Sequence, residues 1–409
     1  MHYLILSGLL SLLTVQATGQ SNPLATIIRD NKDDFGPWAT DPATYEVQVL
    51  YTQIDRQADG SIELTTYRWG ADSTQYFYPA STVKMPAAVL ALQKINELGV
   101  IGLDATTPML HSSLPAPAAP PAKWKQLQTA VTRDTSSADG RPSVANYLRK
   151  IFLVSDNDAY NRLFEWLGPT YINKSLRQVG IDNFRMQHRV GIGGFDDETH
   201  AWLNPVRFTD GFRTLYEIGE RRDGFYDPMP TLRGQQRGVA FVRGDSTIRA
   251  PFDFTHKNYL SLEALQGIVG RIVLPEAYPP EERFLLTEAD YDRLRTAMRQ
   301  RPRESDFPRY DKPDNYVKFW IYGDREEDSE IPDHVRILNK VGWAYGYLTD
   351  AAYIVDEEAG VEFFLTGTIH VNANRTFNDG AYEYDDVGLP FFGQLGRAVL
   401  AYERRRVRD

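Results

Sequence analysis

The chain of 409 residues has no cysteine, which excludes disulfides, thiolate nucleophiles and cysteine-held zinc. Histidine is sparse as well. The seven present are scattered, with no H-x-H or H-E-x-x-H spacing to gather metal ligands on one face. Positive charge is not in excess: 45 Lys and Arg stand against 55 Asp and Glu, for a net charge of −10. No basic face for nucleic acid is therefore expected. Long hydrophobic runs are missing too. Leu4 to Val15 is the longest, interrupted by Ser7, Gly8, Ser11 and Thr14, and it is too short to span a bilayer. Nothing in the sequence calls for a metal or organic cofactor.

That run, followed by small residues at Ala17-Thr18-Gly19, reads as a signal peptide over 1–19. Its start carries His2 but no Lys or Arg, so a buried N-terminal helix is the competing reading. The mature chain, 20–409, is expected to be exported, periplasmic or secreted, and not stably inserted in a membrane.

Patterning places strands at both ends of the chain. Tyr45, Val47, Val49 and Tyr51 alternate with polar residues, Ala58-Asp59-Gly60 makes a turn, and Ser61 to Leu64 starts the return. Ala351 to Val355 and Val361 to Val371 form a second hairpin, ahead of a terminal helix over Leu389 to Tyr402. Helical periodicity fills the middle: from Ser143 to Phe152, Ala159 to Leu167, Thr170 to Gly180, Thr209 to Gly219, Ser261 to Val273 and Thr287 to Met298. The expected architecture is one α/β (α+β) sandwich domain. Residues 20–80 and 333–409 build an antiparallel sheet with terminal helices, and 81–332 form an inserted all-helical lobe. Within that lobe, 111–125, 221–258 and 299–332 are rich in Pro, Gly or charge and read as surface loops able to overhang a site.

Three short motifs carry chemistry. Ser81-Thr82-Val83-Lys84 opens the most apolar helix of the chain, with hydroxyl and amine three residues apart on one face. Apolar residues all round that helix mean burial, which lowers a lysine pKa and lets the amine take a proton from a serine. By itself S-x-x-K is weak, since about one is expected by chance in a chain of this length. Ser155-Asp156-Asn157 joins two helices, where a plain polar turn would use the same residue types. Lys340-Val341-Gly342 begins a strand.

In this order and context the three motifs resemble the penicillin-recognising serine hydrolases, most of all the class A β-lactamase branch with its S-x-x-K, S-D-N and K-T-G. The resemblance implies a β-lactamase/transpeptidase-like fold and a β-lactam or cell-wall peptide as the small-molecule partner. It also implies roles. Ser81 forms an acyl-enzyme and Lys84 deprotonates it; Ser155 relays a proton to the leaving nitrogen; Asn157 holds the substrate amide. Lys340 attracts the substrate carboxylate, Gly342 and Trp343 line the substrate strand, and the N–H groups of Ser81 and Trp343 form the oxyanion hole.

Two departures stand out. Val341 replaces a Thr or Ser whose hydroxyl is aimed at the substrate carboxylate. In the loop "GGFDDETHAWLNPVRF", His200 stands where class A enzymes carry the Glu that activates the deacylating water. Glu198 could serve if the loop is shifted, and His200 is itself a competent base. Alternatively Asp196, Asp197 and Glu198 form a solvated loop ahead of the Thr209 helix. Three functions stay open: β-lactam hydrolysis, the same acylation turned on a cell-wall peptide or another amide or ester, or a slow-acylating sensor.

Overall fold

The computed structural model describes residues 22–112, 130–193, 195–224, 230–326 and 329–408. The expected signal peptide and most of the 111–125 loop lie outside them. At the centre is a five-stranded antiparallel sheet made from both chain ends: β1 (Gln48–Arg56), β2 (Ile62–Trp69), β3 (Val335–Ala344), β4 (Tyr347–Asp356) and β5 (Val361–His370), in the order β3-β4-β5-β1-β2. The hairpin register is set by tight turns at Gly60 and Gly360, both with positive φ.

Burial of β1 is continuous from Gln48 to Ile54 rather than alternating. The reason is that both faces of the sheet are covered. On one side α1 (Pro23–Asp30) and α8 (Leu389–Glu403) enclose a core containing Val49, Tyr51, Phe363, Leu365 and Phe391. On the other, Leu50, Ile54 and Phe364 meet the helices of the middle segment. Those are α2 (Lys84–Leu98), α3 (Val144–Val154), α4 (Asn157–Leu167), α5 (Pro169–Gln178), α6 (Leu262–Val273) and α7 (Glu288–Arg299). Ser143, Ser261 and Thr287 cap α3, α6 and α7 as their spacing predicts, Thr287 and Asp290 closing a reciprocal capping box.

Three expectations change. The helix predicted over Thr209 to Gly219 is instead half of a hairpin, strands Val206–Thr209 and Thr214–Ile218, which also pairs with Met109–His111. Asp210, Gly211 and Phe212 form its turn, where the Asp210 carboxylate accepts from the N–H groups of Phe212 and Arg213. The middle segment is thus not all-helical, since short ribbons also run through 221–260. The 299–332 stretch is not merely a surface loop: Val317, Phe319, Trp320 and Ile321 are buried with α8 under the sheet.

Candidate active site

Ser81 occupies a 3-10 turn, Ala80–Val83, that runs straight into α2. Thr82 clamps the turn by donating to the Pro79 carbonyl from both its N–H and its hydroxyl, at 3.1 and 2.7 Å. Ala80 is held at φ 47°, a conformation costing a non-glycine residue about 1–3 kcal/mol and typical of functional sites. Pro86 falls in the first turn of α2, where a missing N–H costs nothing. The helix behind it is buried from Lys84 to Gln93.

Lys84 has no solvent exposure. Its amine donates to the Ser155 carbonyl and to Asn157 Oδ1 at 2.6 Å, and lies 3.3 Å from Ser155 Oγ. Burial pushes its pKa down to about 7, against a smaller upward pull from Asp156. An amine so poised is a base at neutral pH. Ser155 ends α3 in the left-handed region at φ 55°, and Asp156 caps α4 by accepting from Ala159 N–H at 2.7 Å. That sharp corner turns the Ser155 hydroxyl toward the lysines.

Lys340 arrives from edge strand β3 and donates to Ser155 Oγ at 2.9 Å and to the Val341 carbonyl at 2.7 Å. It too is buried, and burial together with the neighbouring Lys84 drives its pKa well below the ordinary lysine value. The glycine of this motif has a steric reason. A Cβ on Gly342 would sit 2.5 Å from the Pro79 carbonyl oxygen and 2.8 Å from Ser81 N. Only glycine lets β3 lie against the nucleophile turn. The strand edge and the Ser81 N–H are thereby brought together, the juxtaposition an oxyanion hole requires.

Ser81, Lys84, Ser155, Asn157, Lys340 and Gly342 therefore converge. Glu198 and His200 do not join them by any hydrogen bond or ion pair. Glu198 is exposed and held in a two-pronged pair with Arg222 at 2.7 and 3.0 Å, which keeps its carboxyl below the usual range. His200 stacks between Phe195 and His188 and accepts from Arg189 N–H. Burial and the nearby cations hold its ring neutral. The loop carrying both is pinned by Glu165 of α4, which accepts from Arg189 and Asn204. At Gly191 the loop lies against Asn157, where a Cβ would overlap Nδ2.

Trp343, expected to line the substrate strand and to lend its N–H to the oxyanion hole, is part of a larger wall. Its ring stands edge-on to Tyr316 and lies beside Phe319 and Tyr384, at 5.9–6.3 Å between centroids. Tyr316, Val317, Phe319, Val341 and Trp343 close over Ser81, Ser155 and Gly342, leaving about 20 Å³, room for about one water molecule. Across Tyr316, Phe319 and Trp343 lies a second cavity of about 280 Å³. The wall is anchored from behind. Lys318 donates to the Met298 carbonyl and to Asn339 Oδ1, Asn339 donates to Asp350, and Asp350 accepts from Phe319 and Trp320 N–H. Sequence reasoning passed over Tyr316 and Phe319; the run Tyr316-Val317-Lys318-Phe319-Trp320-Ile321 within a charged stretch was the signal available. Among the described residues no group of three or more His, Asp or Glu is placed to hold a metal ion.

Residues 43–228 match the β-lactamase enzyme family. Among solved structures, a β-lactamase from Burkholderia vietnamiensis is similar over 95% of this chain and 100% of its own, at 13% identity and a TM-score of 0.51. The fold is that of the penicillin-recognising serine hydrolases. PBP-A is similar at 16% identity and a TM-score of 0.49, covering 94% and 97% of the two chains. A β-lactamase from Desulfarculus baarsii DSM 2075 is similar at 16% and 0.47, covering 93% and 99%. No curated protein sequence matches the chain. In this β-lactamase-like fold the Ser81 turn, the α3–α4 corner and the edge strand come from three remote parts of the chain and meet at one site.

Proposed function

We propose that the protein is an exported serine hydrolase that opens strained cyclic amides of the β-lactam type through an acyl-enzyme on Ser81. The observation that carries this reading is the meeting of two buried amines, Lys84 and Lys340, on one hydroxyl, Ser155 Oγ. Burying two cations is costly, and such a pair beside a serine in a strained turn serves proton transfer better than stability.

The step balances as follows. Ser81 Oγ adds to the carbonyl carbon while its proton passes to the neutral Lys84 amine. The oxyanion is met by the N–H groups of Ser81 and Trp343. The C–N bond then breaks, the nitrogen takes the Ser155 hydroxyl proton, and Lys84 returns its proton to Ser155 across the 3.3 Å contact. Release needs a water activated at the ester. Glu198 and His200 are engaged elsewhere, so the acyl-enzyme is lost slowly. That slowness favours, as a second reading, a cell-wall peptide hydrolase or a slow-acylating sensor using the same acylation.

Intact-mass spectra recorded over time with benzylpenicillin test this. The expected result is an adduct on Ser81 that persists for minutes or longer and is missing in Ser81→Ala. A wild-type protein that stays unlabelled both by millimolar benzylpenicillin and by its methyl ester refutes the acylation reading.

A further inference from the structure

The apolar wall over Ser81 has a consequence for the substrate. It is lined in part by Val341 and Trp343, the stretch where the family resemblance places recognition of a carboxylate. Val341 carries no hydroxyl and is buried. Its neighbours in the Ser81 cavity are Tyr316, Val317, Phe319 and Trp343, and no guanidinium lines it.

Of the nearby cations, Lys312 stands over the Tyr316 ring, 5.0 Å from its centroid, and three buried lysines are already engaged. Lys340 donates to Ser155 and the Val341 carbonyl, Lys84 to Ser155 and Asn157, and Lys318 to Met298 and Asn339. Burial also drives Lys340 toward the neutral form. The register partner of Val341 on β4 is Asp350, a buried carboxylate, so the neighbouring strand offers no cation there. Arg325 is the single arginine among the described residues that line the larger cavity, and it lies beyond Tyr316, Phe319 and Trp343.

We infer that the site acylates donors carrying an uncharged, apolar group beside the scissile amide, and discriminates against those carrying a carboxylate there. This rests on the acylation of Ser81 proposed above. An ion placed against Trp343, the exposed ring of this wall, would be desolvated without a partner, whereas an ester or aryl group gains contact with that ring.

The test compares benzylpenicillin with its methyl ester, which share the scissile amide and differ in that one charge. Second-order rates of Ser81 labelling are read by intact mass. The ester is expected to label wild-type protein at least about ten-fold faster, since one unpaired polar group is worth that much in discrimination. Val341→Thr, close in volume, is expected to narrow the ratio by restoring a hydroxyl. Labelling by the free acid at an equal or greater rate overturns the substrate assignment while leaving acylation of Ser81 intact. So does an acid rate that collapses in Arg325→Ala, because a carboxylate-binding cation would then exist. Failure of both penicillins to label Ser81 sinks the proposed function, and the assignment with it.

Discussion

Lys84→Met tests the central physical claim, that burial turns this lysine into a base. The pKa is near 7 in the folded protein against 10.5 for an exposed lysine. Between those values the unfolded chain binds more protons than the folded one, so stability rises with pH through that window. Below about pH 7 both states are charged and the penalty is constant; above about 10.5 both are neutral and it vanishes. The penalty comes to about 4 kcal/mol at pH 7 and about 2 kcal/mol at pH 9. The wild type should therefore gain about 2 kcal/mol over the variant between these two pH values in urea unfolding. Losing the bonds to the Ser155 carbonyl and Asn157 offsets the variant at every pH without changing the slope. Lys340, relieved of its neighbour's charge, has its pKa lowered less in the variant, which only widens the difference. Acylation in the wild type should rise through about pH 7 as Lys84 loses its proton, and fall in the variant by ~10²–10⁴. Parallel stability curves for the two proteins would show that the amine is charged in the fold and would remove it as the base.

Three further outcomes follow from the geometry. Gly342→Ala forces a methyl into the backbone of Pro79, Ser81 and Thr82; we expect a loss of about 1–3 kcal/mol in thermal or urea unfolding and ~10²–10³ in acylation rate, and unchanged kinetics would mean the strand does not frame the oxyanion. Glu198→Gln removes a carboxylate engaged by Arg222 and should leave the acyl-enzyme half-life within about two-fold, as expected for a surface pair; a strongly prolonged half-life would make Glu198 the deacylation base after all. Asn339→Ala removes one hydrogen-bond partner each from the buried Lys318 and Asp350 and should cost about 1–3 kcal/mol by calorimetry, together with looser access to Ser81 seen as faster labelling; a change within 0.5 kcal/mol, the usual surface value, would show that the network does not hold the wall.

Legibility differed from element to element. Caps and tight turns are encoded within three or four residues, so Ser143, Ser261, Thr287 and the turns at Gly60 and Gly360 appear where their local chemistry puts them. The Thr209 stretch failed because Phe208, Leu215, Tyr216 and Ile218 fit a helical stripe as well as strands, and pairing with the remote Met109–His111 decided between them. In 299–332 the surrounding charge and proline masked an aromatic run that the sheet and α8 bury.

From the sequence alone one could tell which residues had the chemistry: a serine and lysine on one helical face, an S-D-N corner, and a glycine-bearing strand. What joined them was tertiary. Lys84 and Ser155 are separated by 71 positions, and Ser155 and Lys340 by 185. No local rule reports whether such side chains meet, because their contact depends on how helices and strand pack on both faces of a shared sheet. The same holds for what the site excludes. A valine in the third motif reads as one missing hydroxyl, and only the packed fold shows it joined by Tyr316, Phe319 and Trp343 in an apolar surface above the nucleophile.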